Sequence, residues 1–140
     1  MALSSRAAGI IGASLLVVGG LAWGARSCGT ADPSLAGEWS GFAPLEPGAD
    51  PVLDRNIKGI LLKLEASGRF RLVDGGLPFA GRWRRIEDAL TFDVETFMER
   101  PLTAEPGAKR AAEAFSGRVD GRGIVFRGMA GIDVRLERRQ

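Results

Sequence analysis

Histidine and tyrosine are absent from this 140-residue chain, and cysteine occurs once, at Cys28. Without histidine and with a single thiol, the chain cannot build the usual Cys and His metal sites or use imidazole for acid–base catalysis. One cysteine also excludes an internal disulfide. We therefore expect a protein that is not an enzyme and that uses no cofactor.

Carboxylates and glycines leave two other kinds of site to consider. Asp93, Glu95 and Glu99 would share a strand face and could gather around a hard cation, although a solvated face accounts for them as well. The 20 glycines include no run followed by the Lys-Ser or Lys-Thr of a phosphate-binding loop. No aromatic residues for stacking on bases are interleaved with the basic ones, so we expect no nucleic-acid partner.

Long hydrophobic runs are also scarce, and residues 7–25 form the one that matters. This run has no charged residue and is bounded by Arg6 and Arg26. As a helix it would cover about 28 Å at ~1.5 Å per residue, close to the ~30 Å hydrocarbon core. The sequence therefore predicts a single-pass transmembrane anchor over residues 1–26, a signal-anchor. A cleaved export signal, or a lipoprotein acylated at Cys28, is the alternative.

The predicted anchor carries small residues along one face. A helical wheel places four of them within about 60° of one another: Gly9, Ala13, Gly20 and Gly24. The pair Gly20 and Gly24 forms a G-x-x-x-G motif, which lets a second helix approach closely in lipid. We expect this face to pack on a partner transmembrane helix, although a helix rich in glycine and alanine also makes such a stripe by chance.

The far end of the anchor resembles a membrane interface. Trp23 lies one turn from Arg26, where an interfacial indole beside a snorkelling cation is expected, and membrane lipids would contact both. Arg6 and the amino terminus lie on one side, while Arg26 and the first acid, Asp32, lie on the other. This weak asymmetry favours a cytoplasmic amino terminus and an extracytoplasmic domain, which would be periplasmic in a bacterium. A domain on the cytoplasmic side is the alternative.

The rest of the chain is predicted to be a short linker and one β domain. Residues 27–34 are polar and contain the Gly and Pro that end the helix, and their extended reach of at most ~28 Å keeps the domain near the bilayer. Residues 35–140 suffice for one core. Within them, alternating segments cut by glycine turns predict eight strands: 38–42, 57–66, 69–73, 79–86, 89–97, 114–119, 124–129 and 132–137.

Eight short consecutive strands are typical of an antiparallel meander. Closing the meander into a small barrel removes the exposed edges of a flat sheet, with a half-open barrel or a β-sandwich as the alternative. Residues 98–113 interrupt the pattern and predict a loop with one or two helical turns. The inward faces of the strands predict an aromatic core of Trp39, Trp83, Phe70, Phe92 and Phe126.

The first strand opens with Gly37-Glu38-Trp39 after a lead-in that contains proline. This G-x-W motif resembles the lipocalin-like barrels of the calycin group, which carry it at the same place. The resemblance implies that Trp39 closes the base of the barrel under a basic residue of the last strand, Arg135 or Arg138. As a further option, the resemblance implies that the barrel contains a pocket for a small apolar ligand. The same pattern recurs at Gly81-Arg82-Trp83.

Arginine dominates the basic residues, although the net charge is only +2. Five arginines fall on adjacent predicted strands: Arg69, Arg71, Arg82, Arg84 and Arg85. They could form a basic wall that attracts anionic lipid or an acidic protein surface. The alternative is that they are solvating cations balanced by nearby acids.

Two hypotheses for the function follow. The first is a non-catalytic accessory subunit whose helix and membrane-proximal domain dock on a larger integral membrane protein complex. It uses the small-residue helix face, the short linker and the missing catalytic side chains. The second is a tethered lipocalin-like carrier of a lipid or another small apolar molecule, which requires a barrel cavity that the phenylalanines do not fill.

Overall fold

The structure is a computed structural model, and it describes residues 29–44, 47–48, 50, 52 and 59–140. Nine β-strands and one α-helix lie in these residues. The strands are β1 (Gly37–Phe42), β2 (Gly59–Leu64), β3 (Arg69–Asp74), β4 (Leu77–Ile86), β5 (Ala89–Phe97), β6 (Arg100–Pro101), β7 (Ser116–Asp120), β8 (Gly123–Arg127) and β9 (Asp133–Arg138). The helix is α1 (Pro106–Glu113), and 3-10 turns cover Pro33–Leu35 and Leu102–Ala104.

Eight of the strands form a closed antiparallel barrel. Each pairs with its neighbours in the order β4, β3, β2, β1, β9, β8, β7, β5, and pairing of β4 with β5 closes the ring. The two-residue β6 extends the end of β5. The prediction of a mainly β chain with an antiparallel meander is confirmed, and the barrel is closed rather than half-open.

The barrel core follows from strict alternation along the strands. In β2, for example, Ile60, Leu62 and Leu64 are buried while Lys63 is exposed. Alternate residues of a strand point to opposite faces, so one set of side chains fills the interior. The fully buried large side chains belong to that set: Trp83, Phe70, Phe126, Leu62, Leu64, Leu72, Leu90, Ile124 and Leu136.

Glycine is required where β4 and β5 approach most closely. The pairing register shifts between Ala80 and Gly81, and a Cβ on Gly81 would overlap the carbonyl oxygen of Asp93. Such an irregularity bends the strand and increases its twist, which assists closure of the barrel. The glycine of the second G-x-W pattern thus serves strand packing.

The segment after β5 covers part of one barrel end, where β5 ends and β7 begins. This segment contains β6, the second 3-10 turn and α1. It agrees with the loop with one or two helical turns that was predicted for residues 98–113. Ala112 of α1 and Phe115 beyond it are buried in the core cluster. We call the other end, where β1 begins and β9 ends, the base.

Candidate functional site

Trp39 and the last strand close the base of the barrel. The Trp39 side chain is 2% exposed, and its indole Nε1 donates to the carbonyl oxygen of Leu35 at 2.9 Å. The guanidinium carbon of Arg138 lies 4.6 Å from the centre of the Trp39 ring. Arg138 also donates to the carbonyls of Ala36 (3.0 Å) and Ser34 (2.6 Å). Of the two basic residues that the resemblance implied, Arg138 therefore covers the tryptophan.

Gly37 makes that arrangement sterically possible. Its φ of 144° lies in a region that side chains rarely adopt, and a Cβ there would stand 3.3 Å from Nη1 of Arg138. Arg135, the other candidate, lies elsewhere and donates to Asp120 at 3.1 Å. The glycine and the tryptophan of the motif thus act together, one by leaving space for the arginine and one by lying beneath it.

Residues 29–34, predicted as part of a linker, are docked on the base. Thr30 and Arg85 exchange two backbone hydrogen bonds, of 3.3 Å and 2.8 Å. Gly29 approaches the end of β4 so closely that a Cβ would stand 2.6 Å from the Ile86 side chain. The sequence indicated only a linker, because a polar segment that contains proline gives no sign of backbone pairing with β4 or of this close approach.

Asp32 anchors the docked segment to the barrel. One carboxylate oxygen accepts from the Ser34 hydroxyl (2.7 Å) and backbone N–H (2.9 Å), and the other accepts from Arg85 at 2.6 Å. Hydrogen bonds from the Ser34 hydroxyl and N–H, followed by that from Arg85, hold the pKa of Asp32 below its usual value. The carboxylate is therefore charged at neutral pH. It caps the first 3-10 turn and forms an ion pair with Arg85.

The barrel interior contains a continuous row of aromatic rings. Successive ring centres along this row lie 4.9, 4.9, 5.8, 5.5 and 5.1 Å apart. The row runs in the order Phe97, Phe79, Phe115, Phe126, Phe92 and Phe70. Edge-to-face and tilted contacts at these distances are those of packed cores. These six rings therefore pack against one another within the barrel core.

The other core residues named from the sequence pack in the same interior. Phe70 and Phe126 are buried, and Phe92 is half-buried against the cluster. Trp83 is buried, and its indole Nε1 donates to the carbonyl oxygen of Glu65 at 3.0 Å. The second tryptophan thus binds the turn between β2 and β3, as Trp39 binds the segment before β1.

An apolar surface lies on the outside of strands β1 to β4. We call it the apolar wall and define it by Phe42, Leu61, Val73, Pro78 and Ala80. Leu61 pairs with Val73, and Val73 with Pro78, so the wall is continuous across β2, β3 and β4. Phe42 is 58% exposed. Two grooves, of about 510 Å³ and about 320 Å³, lie on either side of Val73, which lines both.

Basic residues border the apolar wall on the side of the base. Lys63 and Arg71 are paired across β2 and β3, both are exposed, and neither has an ion pair within the part of the chain that the structure describes. Arg71 and Arg139 each line one of the two grooves, and Glu99 lines the groove beside Arg71. Sequence analysis missed this wall, although apolar residues at the outward positions 61 and 73 could have signalled it.

The predicted basic wall and the carboxylate trio are only partly neutralised, since Arg71, Arg84, Asp93 and Glu99 have no ion pair among the described residues. Arg69 and Arg82 each lie 3.3 Å from the carboxylate of Glu95. Arg85 turns to Asp32 at the base. Among the described residues, no group of three acids, histidines or cysteines is arranged to hold a metal ion. For Arg69, Arg82, Arg85 and Glu95, these contacts agree with the alternative of solvated charges balanced by nearby partners.

Asp74 is a buried acid at the end opposite the base. It is 7% exposed, and one carboxylate oxygen accepts from the backbone N–H of Met129 at 2.8 Å. Burial raises the pKa of Asp74 above its ordinary value, and the Met129 hydrogen bond opposes that shift. Asp74 thereby ties the turn before β9 to the end of β3.

The predicted anchor, residues 1–26, lies outside the described residues. So do its small-residue face and its interface pair: Gly9, Ala13, Gly20, Gly24, Trp23 and Arg26. Within the part that the structure describes, no helix has the length and apolar character needed to cross a membrane. The anchor therefore stays a prediction from the sequence.

Comparison of the chain with protein-family models, with curated proteins and with solved structures gives no match. The described residues form a closed eight-stranded barrel with an arginine-covered tryptophan at its base and an apolar wall outside.

Proposed function

We propose that this protein is a non-catalytic, membrane-anchored accessory subunit that docks on a larger integral membrane protein complex. Its N-terminal helix and its apolar wall are the two docking elements. The observation that carries the proposal is the apolar wall on the outside of a barrel whose interior is already filled. A barrel of this kind presents its binding surface outward.

Most outward positions on the described strands of the opposite side are polar or charged, with Val125 a single exception, so the apolar wall is local. On β7 to β9, for example, Arg118, Arg127, Arg135 and Glu137 point to solvent. Antiparallel sheets with one solvated face normally alternate in this way. Contiguous exposed apolar surface on a small domain commonly marks a site of protein contact.

Charge indicates what kind of partner fits the wall. Lys63 and Arg71 lie opposite each other on neighbouring strands, and neither forms a described ion pair, although Glu38 is the neighbour of Lys63 on β1 and Glu99 lines the groove beside Arg71. Like charges in that position are unfavourable in the free protein. A partner surface with an apolar centre and an acidic edge would relieve the repulsion and bury the wall.

The position of the base supports a partner in the membrane. Two residues separate Arg26, the end of the predicted anchor, from Gly29, which is docked on the barrel. Those residues span about 10 Å when extended, so the base would lie near the bilayer. The wall would then stand upright beside the extramembrane part of a neighbouring membrane protein, while the Gly20 and Gly24 face packs on its helix.

We also infer that the domain is a lipocalin-like barrel. The support is the G-x-W motif together with Arg138 over Trp39, the arrangement that the resemblance implied. The carrier function of that family has less support here, because a row of phenylalanine rings packs in the barrel interior.

The apolar wall is tested by placing one charge on it. Val73→Glu introduces a carboxylate at the centre of the wall, and Val125→Glu introduces the same group on β8, across the barrel. Both valines are half-buried and outward-facing. We expect tagged full-length Val73→Glu, purified from membranes in mild detergent, to lose at least tenfold of the co-purified partner. Val125→Glu should retain it.

Circular dichroism of both variants shows whether each has kept the barrel. The proposal fails when folded Val73→Glu retains as much of the membrane partner as the wild type. It fails also when both variants lose the partner equally, because the contact would then not be specific to this wall.

A further inference from the structure

A depression of about 500 Å³ lies at the base of the barrel, apart from the apolar wall. The charged side chains that line it are three arginines, Arg85, Arg122 and Arg138, and no carboxylate lines it. Leu35, Trp39 and Val119 provide apolar lining. A half-apolar depression with three guanidinium groups fits an anion that carries some hydrocarbon.

The three arginines differ in how far they are already satisfied. Arg138 donates to two backbone carbonyls and covers Trp39. Arg85 binds Asp32 at 2.6 Å. Arg122 is exposed and has no hydrogen bond or ion pair within the described part of the chain. Its five N–H donors are thus available to an oxyanion, and Arg138 supplies further positive charge behind it, whereas Asp32 and Asp88 offset Arg85.

Acids close to the base do not neutralise Arg122. Asp32 and Asp88 both face Arg85, at 2.6 Å and 3.6 Å. Asp120, at the start of the turn that carries Arg122, lies 3.1 Å from Arg135 instead. The arrangement leaves one guanidinium without a counter-charge at the rim of a positive depression.

We propose that this depression binds a phosphate oxyanion, with Arg122 as the principal ligand. Arginine suits phosphate because its planar donors match two oxygens at once. In the topology of the proposed function, on which this part rests, the base faces the bilayer and the phosphate belongs to the head group of an anionic phospholipid. Apolar Leu35 and Val119 would then lie beside the glycerol and the first carbons of the lipid.

The test uses the full chain in a neutral, non-denaturing detergent at constant ionic strength. Three probes are titrated while the thermal midpoint is followed: dihexanoyl-phosphatidylglycerol, dihexanoyl-phosphatidylcholine and inorganic phosphate. The variants are Arg122→Gln and a matched control, Arg118→Gln, since Arg118 belongs to the same hairpin, is exposed and has no described ion pair.

We expect phosphatidylglycerol to raise the midpoint of the wild type and of Arg118→Gln, and phosphatidylcholine to have no effect. Arg122→Gln should weaken the apparent affinity about tenfold, as the loss of one charge-assisted hydrogen bond predicts. Tighter binding of phosphatidylglycerol than of inorganic phosphate assigns the lipid as the source. Equal or tighter binding of inorganic phosphate keeps the oxyanion site and overturns the lipid assignment.

The site itself is overturned when neither anionic probe shifts the midpoint, or when Arg118→Gln weakens binding as much as Arg122→Gln does. The second result would show a diffuse charge effect. Loss of the partner in Val73→Glu does not depend on this depression, so failure of the lipid site and failure of the docking proposal are separate results.

Discussion

Replacing Trp39 by alanine should unfold the base of the barrel. The ring is almost fully buried, and truncating such a tryptophan typically costs about 3–5 kcal/mol. Loss of the Arg138 contact and of the hydrogen bond to Leu35 adds about 1–2 kcal/mol. A small domain has about 5–15 kcal/mol in all, so Trp39→Ala should lose a large share of its stability.

Urea unfolding of the full chain in mild detergent, followed by near-ultraviolet circular dichroism, measures this loss. Trp39→Phe is the matched control, because it keeps an aromatic ring beneath Arg138 and removes the indole N–H; we expect it to lose about 1–2 kcal/mol. An unchanged midpoint for Trp39→Ala would refute the assigned role. An unchanged midpoint with lost binding of an apolar ligand would favour the carrier hypothesis instead.

Three further variants test other parts of the account. Gly81→Ala should lower the thermal midpoint strongly, because its Cβ would overlap the carbonyl oxygen of Asp93. Asp74→Asn should raise the free energy of unfolding at pH 7 but not at pH 3. Folding raises the pKa of Asp74, so ionisation of this carboxyl lowers the stability of the wild type as the pH rises, and asparagine does not ionise. Gly20→Leu with Gly24→Leu should abolish co-purification of a partner helix, measured in mild detergent, and leave membrane insertion intact.

Each of these expectations has its own control or contrary outcome. Gly107→Ala is the control for Gly81→Ala, since a Cβ on Gly107 in α1 meets nothing within 4 Å. A gain in Asp74→Asn that is equal at both pH values would show that the carboxylate charge is not its source. Unchanged co-purification in the double leucine variant would reduce the G-x-x-x-G pattern to coincidence.

Strand positions were predictable because inward residues alternate strictly. Apolar and polar residues alternate in the segments around Leu62, Phe70 and Phe126, and tight glycine turns separate these segments. The meander and its eight strands could therefore be inferred. Closure depends on the pairing of the first strand, β1, with the last, β9, which alternation does not encode; it was expected because closing a meander removes exposed edges.

The base and the apolar wall were less accessible to sequence reasoning. Docking of residues 29–34 depends on a backbone bridge between Thr30 and Arg85, and a bridge has no residue signature. The wall depends on Leu61 and Val73 meeting Pro78 across three strands, which needs the register as well as the pattern. Likewise, the structure was needed to show which arginines form ion pairs with acids and that Arg122 forms none among the described residues.

Photo-crosslinking in intact cells tests the docking claim most directly. A photoreactive phenylalanine analogue replaces Leu61, which is next to Val73 in the apolar wall, or Val125, on the opposite side of the barrel. We expect Leu61 to give a defined adduct with an integral membrane protein and Val125 to give none. Equal adducts from both positions, or no adduct from Leu61 in folded, membrane-inserted protein, would contradict the account.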